Sequence, residues 1–135
     1  MRALAVWLPA LALVLGGYAV LTDRALSDDP QQVLVVVDSS FDMEPYWRDA
    51  GSELADLDGE RYTEYALATE KDSVHGFQGE LGDLDDVTPF APCDAADALA
   101  LPEAGTADRV VLVTTAGSCL DSEAPGSWDR VTVGG

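Results

Sequence analysis

Basic side chains are scarce in this sequence: 7 Lys and Arg stand against 25 Asp and Glu, for a formal net charge of -18. Lys71 is the only lysine and His75 the only histidine. Such an acidic surface repels phosphate backbones and anionic lipid headgroups, which argues against nucleic-acid binding and against docking of the domain itself on a membrane. Two interpretations of the acidity stay open, a solvated surface as in proteins from salty habitats, or carboxylates that hold cations.

Several catalytic motifs are also missing. There is no Gly-x-Ser-x-Gly elbow for a nucleophilic serine and no Gly-Lys-Ser/Thr loop for a phosphate group. A phosphatase-like Asp-x-Asp after the first apolar strand would need an Asp at position 40, where Ser40 stands. His75 falls in a predicted edge strand, where an ordinary structural histidine is the simpler interpretation. We therefore expect a chain that is not an enzyme.

Cysteine is limited to Cys93 and Cys119. Together with one histidine they have the wrong number and spacing for a zinc site. The count permits one disulfide and equally permits two free thiols, because the distance between the two Cα atoms cannot be read from the sequence.

The N-terminus carries the longest apolar run. Ala3 to Leu21 is uncharged, and its length of about 19 residues is close to the roughly 20 that cross a bilayer as a helix. Arg2 precedes the run and Asp23 follows it, so the positive-inside rule places the N-terminus in the cytoplasm and the rest outside. We expect residues 1–22 to form a signal anchor or transmembrane helix.

A cleaved signal peptide is the alternative, since the small residues Gly16, Gly17 and Ala19 could surround a cleavage site. The run is longer than the roughly 7–15 residues of an ordinary signal-peptide core, which favours the uncleaved anchor. The predicted location is the cell membrane, single-pass, with the domain facing the periplasm or the outside; after cleavage the protein would instead be secreted.

The remaining chain is predicted to be a tether over 23–31 and one α/β domain over 32–135. Residues 33–37 and 110–114 are apolar runs without alternation, which is typical of parallel strands buried on both faces. Apolar residues recur at spacings of three and four over 44–57, which predicts an amphipathic helix.

A hairpin is predicted by two strand-like segments with a short polar turn between them. The architecture that follows is a Rossmann-like three-layer open sheet, mostly parallel, with the hairpin as an antiparallel edge. The other predicted segments are strands at 61–69, 73–78 and 128–133, a helix at 94–101, and loops at 79–92 and 117–127.

Polar residues follow both apolar strands, where ligands bind in open α/β sheets. Asp38-Ser39-Ser40-Phe41-Asp42 follows the first strand, and Thr114-Thr115-Ala116-Gly117-Ser118 ends the second. If these strands are neighbours, the two loops meet at one crevice.

This pattern resembles the von Willebrand factor A-type family over about residues 32 to 133. In that family an apolar strand runs into Asp-x-Ser-x-Ser; Asp38, Ser40 and Asp42 match it with Asp in the last place. Thr115 stands where the family's later strand ends in an Asp, and Thr88 is the nearest counterpart of its middle metal-coordinating Thr. The resemblance implies Mg²⁺ or another divalent cation held by Asp38, Ser40, Asp42 and Thr115, and a protein partner bound through it.

The residues by themselves allow a simpler interpretation, in which Asp38 ends the strand and Ser39, Ser40 or Asp42 caps the following helix. We expect a membrane-anchored extracytoplasmic protein-interaction module with a degenerate divalent-metal site. The alternatives are a metal-assisted hydrolase that uses Asp38 and Asp42, and a structural subunit of a membrane complex whose apolar helix packs against others.

Overall fold

A computed structural model describes residues 4–90 and 92–135. The chain forms two compact units, of which the first ends at Pro30 and the second begins at Gln31. The first unit is one α-helix, α1 (Leu4–Asp28). Its segment Trp7–Asp28 is 22 residues long with a mean hydropathy of 1.3, and at about 1.5 Å per residue it covers the roughly 30 Å of a bilayer core. This helix fits a membrane anchor or a signal sequence.

The predicted tether is helical for most of its length, because α1 continues to Asp28. Residues 24–26 are Arg, Ala and Leu, all good helix formers, and the Ser27 hydroxyl donates to the Asp23 carbonyl at 2.8 Å, one turn back. Helical backbone is disfavoured immediately before a proline, and α1 stops just ahead of Pro30. Residues 23–28, predicted as part of the tether, are therefore the last residues of α1.

The second unit is built on one five-stranded sheet, whose strands are β1 (Gln31–Val37), β2 (Thr63–Thr69), β3 (Ser73–Gln78), β4 (Arg109–Thr115) and β5 (Asp129–Val133). Their order in the sheet is β3-β2-β1-β4-β5. Strand β1 pairs in parallel with β2 and β4, and β4 pairs in parallel with β5. Strand β3 pairs with β2 in the antiparallel sense. The prediction of a mostly parallel α/β sheet with an antiparallel edge hairpin is confirmed.

The helices of this unit are shorter than predicted. The helix predicted over 44–57 begins as a 3-10 turn, Phe41–Tyr46, which contains Pro45; proline has no N–H for an α-helical hydrogen bond. The helix predicted over 94–101 gives way to a 3-10 turn that begins at Pro102. The prediction of a loop over 117–127 is wrong for residues 119–123, which form an α-helix. The α-helices are α2 (Trp47–Leu57), α3 (Ala95–Leu99) and α4 (Cys119–Glu123).

Strand β1 is buried on both faces, as its unbroken apolar run predicts. Val33, Val35 and Val37 belong to the core cluster that contains Leu54 of α2. Leu34 and Val36 belong to the opposite cluster, with Ala98 of α3 and Leu120 of α4. Helices therefore cover both faces of the sheet, and polar groups have room only at its edges and strand ends.

Tyr65 of β2 joins the sheet to the end of α2. Its side chain is buried, and its hydroxyl donates to the Leu57 carbonyl at 2.9 Å and accepts from the Glu60 N–H at 3.2 Å. Burial raises the pKa of the Tyr65 phenol above its ordinary 10.0. The stability contributed by this pKa difference is complete below pH 10.0 and is lost as the pH rises through the folded-state pKa.

We expect Tyr65→Phe to lower the free energy of unfolding at pH 7 by about 1 kcal/mol, the usual contribution of a hydrogen bond. It should also reduce the loss of stability above pH 10.0, because one buried phenol no longer ionises on unfolding. Urea unfolding at pH 7 and at alkaline pH measures both, with Tyr46→Phe as the control. Equal alkaline losses in Tyr65→Phe and the unmodified chain would contradict the assignment.

Candidate functional site

The carboxyl ends of three parallel strands open at one edge of the sheet. Val37, the last residue of β1, pairs with Thr69 of β2 on one side and with Val113 of β4 on the other. The chain leaves β1 toward β2 and later returns to its other side as β4, so the strand order reverses between β1 and β4. Open α/β sheets bind ligands at such a switch point. The two loops singled out in the sequence do meet here.

Asp38 directly follows β1 at this switch point, and we use the word crevice for the buried polar cluster of Asp38, Ser40, Thr114 and Ser118. Its carboxylate is fully buried; Oδ1 accepts from the Ser40 N–H at 3.0 Å and Oδ2 from the Thr114 hydroxyl at 2.8 Å. The Thr114 hydroxyl lies 2.6 Å from Ser118 Oγ. Since Thr114 gives its one hydrogen to Asp38, Ser118 is the donor in that second bond. One carboxylate and a chain of two hydroxyls thus join β1, β4 and α4.

Ser118 reaches this chain because of the turn that precedes it. Gly117 has a φ of 83°, a left-handed conformation that costs glycine little. Ser118 then caps α4, and its hydroxyl accepts from the Asp121 N–H at 3.2 Å. This turn and this cap therefore direct the Ser118 hydroxyl to Thr114, the residue that donates to Asp38.

The Ser40 hydroxyl differs from the Thr114 and Ser118 hydroxyls, because it lacks a hydrogen-bond partner within the described residues. The Ser40 side chain is 2% exposed, and its Oγ has no hydrogen-bond partner among residues 4–90 and 92–135. A buried hydroxyl without a partner costs about 1–3 kcal/mol. Its backbone N–H binds Asp38, so this unpaired oxygen belongs to the same turn as the buried carboxylate.

Ser39, between them in sequence, belongs to a second polar cluster. Glu70 is fully buried and follows β2; its Oε2 accepts from the Ser39 N–H at 2.6 Å and from the Ser39 hydroxyl at 2.9 Å. Lys71 Nζ is ion-paired with Glu70 Oε1 and donates to Ser39 Oγ at 3.2 Å. The same ammonium lies 4.9 Å from the centre of the Phe90 ring. This cluster holds the turn after β1 from the side of β2.

Glu70 and Lys71 are not among the site residues predicted from the sequence, because they lie in the short polar turn predicted between the hairpin strands at 61–69 and 73–78. The sequence did contain a signal for Glu70. It directly follows a strand predicted to lie in the same sheet as β1, just as Asp38 directly follows β1. What the sequence did not show is that β2 runs parallel to β1 and ends level with it.

The predicted metal ligands are only partly brought together. Asp38 and Ser40 share the turn, whereas Asp42 is exposed in the 3-10 turn that follows. Thr115 ends β4, but Thr114 is the residue that reaches Asp38, because successive side chains of a strand point to opposite faces. Thr88 is exposed. Within the described part of the chain, no three or more His, Cys, Asp or Glu side chains form a metal-binding group.

The two cysteines are paired. Cys93, in the segment before α3, forms a disulfide with Cys119, the first residue of α4, and their Cα atoms are 6.1 Å apart. Cys119 directly follows Ser118, so the covalent bond anchors the end of α4 that supplies a hydroxyl to the crevice.

No protein-family profile matches this chain, and no curated protein or solved structure matches it either.

We expect Thr114→Val to lower the free energy of unfolding by about 2 kcal/mol, because Asp38 Oδ2 and Ser118 Oγ both lose a buried partner. Thr132→Val on β5, where the side chain is exposed, is the matched control and should change stability by no more than about 0.5 kcal/mol. Urea unfolding of both variants measures the difference. Similar values for the two would show that the Asp38–Thr114 contact contributes little.

Removing the disulfide through Cys93→Ser/Cys119→Ser should lower the free energy of unfolding. With a sequence separation of 26, the expected loss is about 3 kcal/mol, chiefly from greater freedom of the unfolded chain. Unfolding of the unmodified chain with and without a thiol reductant provides the comparison. A reductant that leaves the midpoint unchanged would contradict a bridged native state.

Proposed function

We propose that this chain is a membrane-anchored extracytoplasmic interaction module of the von Willebrand factor A type, and that its crevice between β1 and β4 contacts a protein partner. Three features support the proposal: the acidic and serine-rich turn after β1, the antiparallel edge strand that follows the first helix of the domain, and the apolar α1. The negative surface argues against nucleic acid as the partner.

The ligand that we propose for this site is a weakly held divalent cation. Asp38 offers a carboxylate, and Ser40, Thr114 and Ser118 offer hydroxyl oxygens, the ligand type that Mg²⁺ and Ca²⁺ prefer. The observation that carries this step is the buried Ser40 Oγ, which has no partner within the described residues. A cation in contact with this oxygen would satisfy it. Asp42 and Thr115, expected as ligands from the sequence, have no role in this proposal.

Charge determines what kind of partner such a site would accept. Lys71 neutralises Glu70. A divalent ion held by the carboxylate of Asp38 would therefore keep about one of its positive charges. A carboxylate from the partner would neutralise that charge. The cation thereby lets a protein of formal net charge -18 attract an acidic group that its bare surface would repel.

A non-enzymatic module also agrees with the surroundings of the polar groups. The Ser39 hydroxyl is buried and shared between Glu70 and Lys71, where a substrate has no access. His75 lies on β3, and its ring nitrogens contact the carbonyls of Gly76 at 2.8 Å and Leu81 at 2.7 Å. A hydrolase would need the Ser39 hydroxyl as nucleophile and the His75 ring as base, and these contacts occupy both.

Calorimetric titration of Mg²⁺, Mn²⁺ and Ca²⁺ into the full chain in detergent tests the cation step. We expect saturable binding with a dissociation constant on the order of 1 mM, as in weak extracellular sites. Asp38→Ala should abolish it and Ser40→Ala should weaken it, whereas Ser52→Ala, on the exposed face of α2, should not. Circular dichroism establishes that each variant is folded.

The same variants test the partner. If the crevice is the contact, crosslinking in the native membrane should capture partners with the unmodified chain, but not after prior chelation of divalent ions and not with Asp38→Ala. Partners retained in both conditions would indicate a structural subunit of a membrane complex instead. Equal, weak heats in all titrations would show that only surface carboxylates take up cations, and would overturn the proposed metal site.

A further inference from the structure

Lys71 is the only lysine in the chain, and its ammonium pairs with Glu70, whose side chain is fully buried. A carboxylate removed from water must be paired or hydrogen-bonded to remain charged. Glu70 receives three contacts: the ammonium on Oε1, and the N–H and hydroxyl of Ser39 on Oε2. The ammonium is therefore a cation that the protein itself supplies to this carboxylate.

Glu70 borders the crevice of Asp38. The Ser39 N–H binds Glu70 at 2.6 Å, and the next N–H, that of Ser40, binds Asp38 at 3.0 Å. Two buried carboxylates thus hold consecutive amides of one turn, and the unpaired Ser40 hydroxyl belongs to that turn. The two carboxylates differ in charge compensation: Glu70 is paired with an ammonium, whereas Asp38 accepts hydrogen bonds from uncharged groups and keeps its charge.

The Lys71 side chain is partly open to solvent. The Lys71 side chain is 16% exposed, against 0% for Glu70. It lines two cavities of about 360 Å³ each, one shared with Phe90 and Val74 and the other with Asp97 and Leu101. Both cavities border the Lys71 side chain, so a lysine displaced from Glu70 would have space beside it.

We propose that Glu70 is a latent ligand for a divalent cation, masked by the ammonium of Lys71. Lys71 and the cation compete for this carboxylate. A cation that displaces Lys71 gains a second carboxylate beside Asp38, and the released ammonium becomes exposed at the rim, where it can pair with an acidic group of the partner. The inference rests on the proposed function for the role of Asp38, but the competition at Glu70 can be measured separately.

Removal of the masking charge is the direct test, in the full chain in detergent with Mg²⁺ or Ca²⁺ as the probe. Lys71→Met should bind the ion about tenfold more tightly than the unmodified chain, because the site gains a carboxylate charge. Arg109→Met is the matched control: it removes one positive charge that is likewise ion-paired, to Asp129, so it corrects for the general attraction of cations. Glu70→Gln/Lys71→Met should return to the affinity of the unmodified chain.

A second measurement uses the unmodified chain and does not depend on the folding of any variant. An amine-acylating reagent modifies only Lys71 and the N-terminal amine, and peptide mass spectrometry separates the two. Divalent cations should accelerate acylation of Lys71 relative to the N-terminal amine, whereas NaCl of equal ionic strength should not.

The outcomes separate the two proposals. Unchanged acylation together with equal affinities in Lys71→Met and Arg109→Met would overturn the masking of Glu70, even if Asp38→Ala abolishes binding. Glu70-dependent binding in Lys71→Met would support the masking even if the unmodified chain binds no divalent ion and the metal site proposed at Asp38 fails.

Discussion

The burial of the Asp38 charge is the constraint on which the crevice depends. A carboxylate that leaves water costs several kcal/mol unless hydrogen bonds replace its hydration. Thr114 provides one of them only because β4 lies beside β1, and Ser40 provides the other only because the chain turns sharply after β1. One acidic side chain thus depends on the pairing of β1 with β4 and on the turn after β1. Through Thr114 it is also linked to the cap of α4.

The distribution of charge separates structural carboxylates from solvated ones. Lys71 is paired with Glu70, Arg109 with Asp129, and Arg130 with Asp121. The two arginine pairs are partly exposed and contribute little to stability. The Lys71 pair includes a fully buried carboxylate, so loss of either partner leaves an uncompensated group in the protein interior. The acidic surface and the acidic crevice are therefore different features with different physical consequences.

The short helix α4 shows how much of the site depends on tertiary contacts. Five residues are too few for a helix that is stable by itself. Leu120 packs into the core cluster on its face of the sheet, Cys119 is covalently bound to Cys93, and Ser118 caps the first turn. The same cap is hydrogen-bonded to Thr114, so the contacts that form the helix also place its hydroxyl in the crevice.

The sequence by itself determined the apolar α1, the buried β1 and β4, the hairpin of β2 and β3, and Asp38 as a residue at a strand end. Each of these follows from local periodicity or from an unbroken apolar run. Only the tertiary structure decided that Thr114 rather than Thr115 reaches Asp38, that Glu70 holds Ser39, and that Cys93 meets Cys119. Those contacts join residues 76, 31 and 26 positions apart. They depend on strand order and register, which arise when the whole sheet packs and which leave no periodic signal in any one segment.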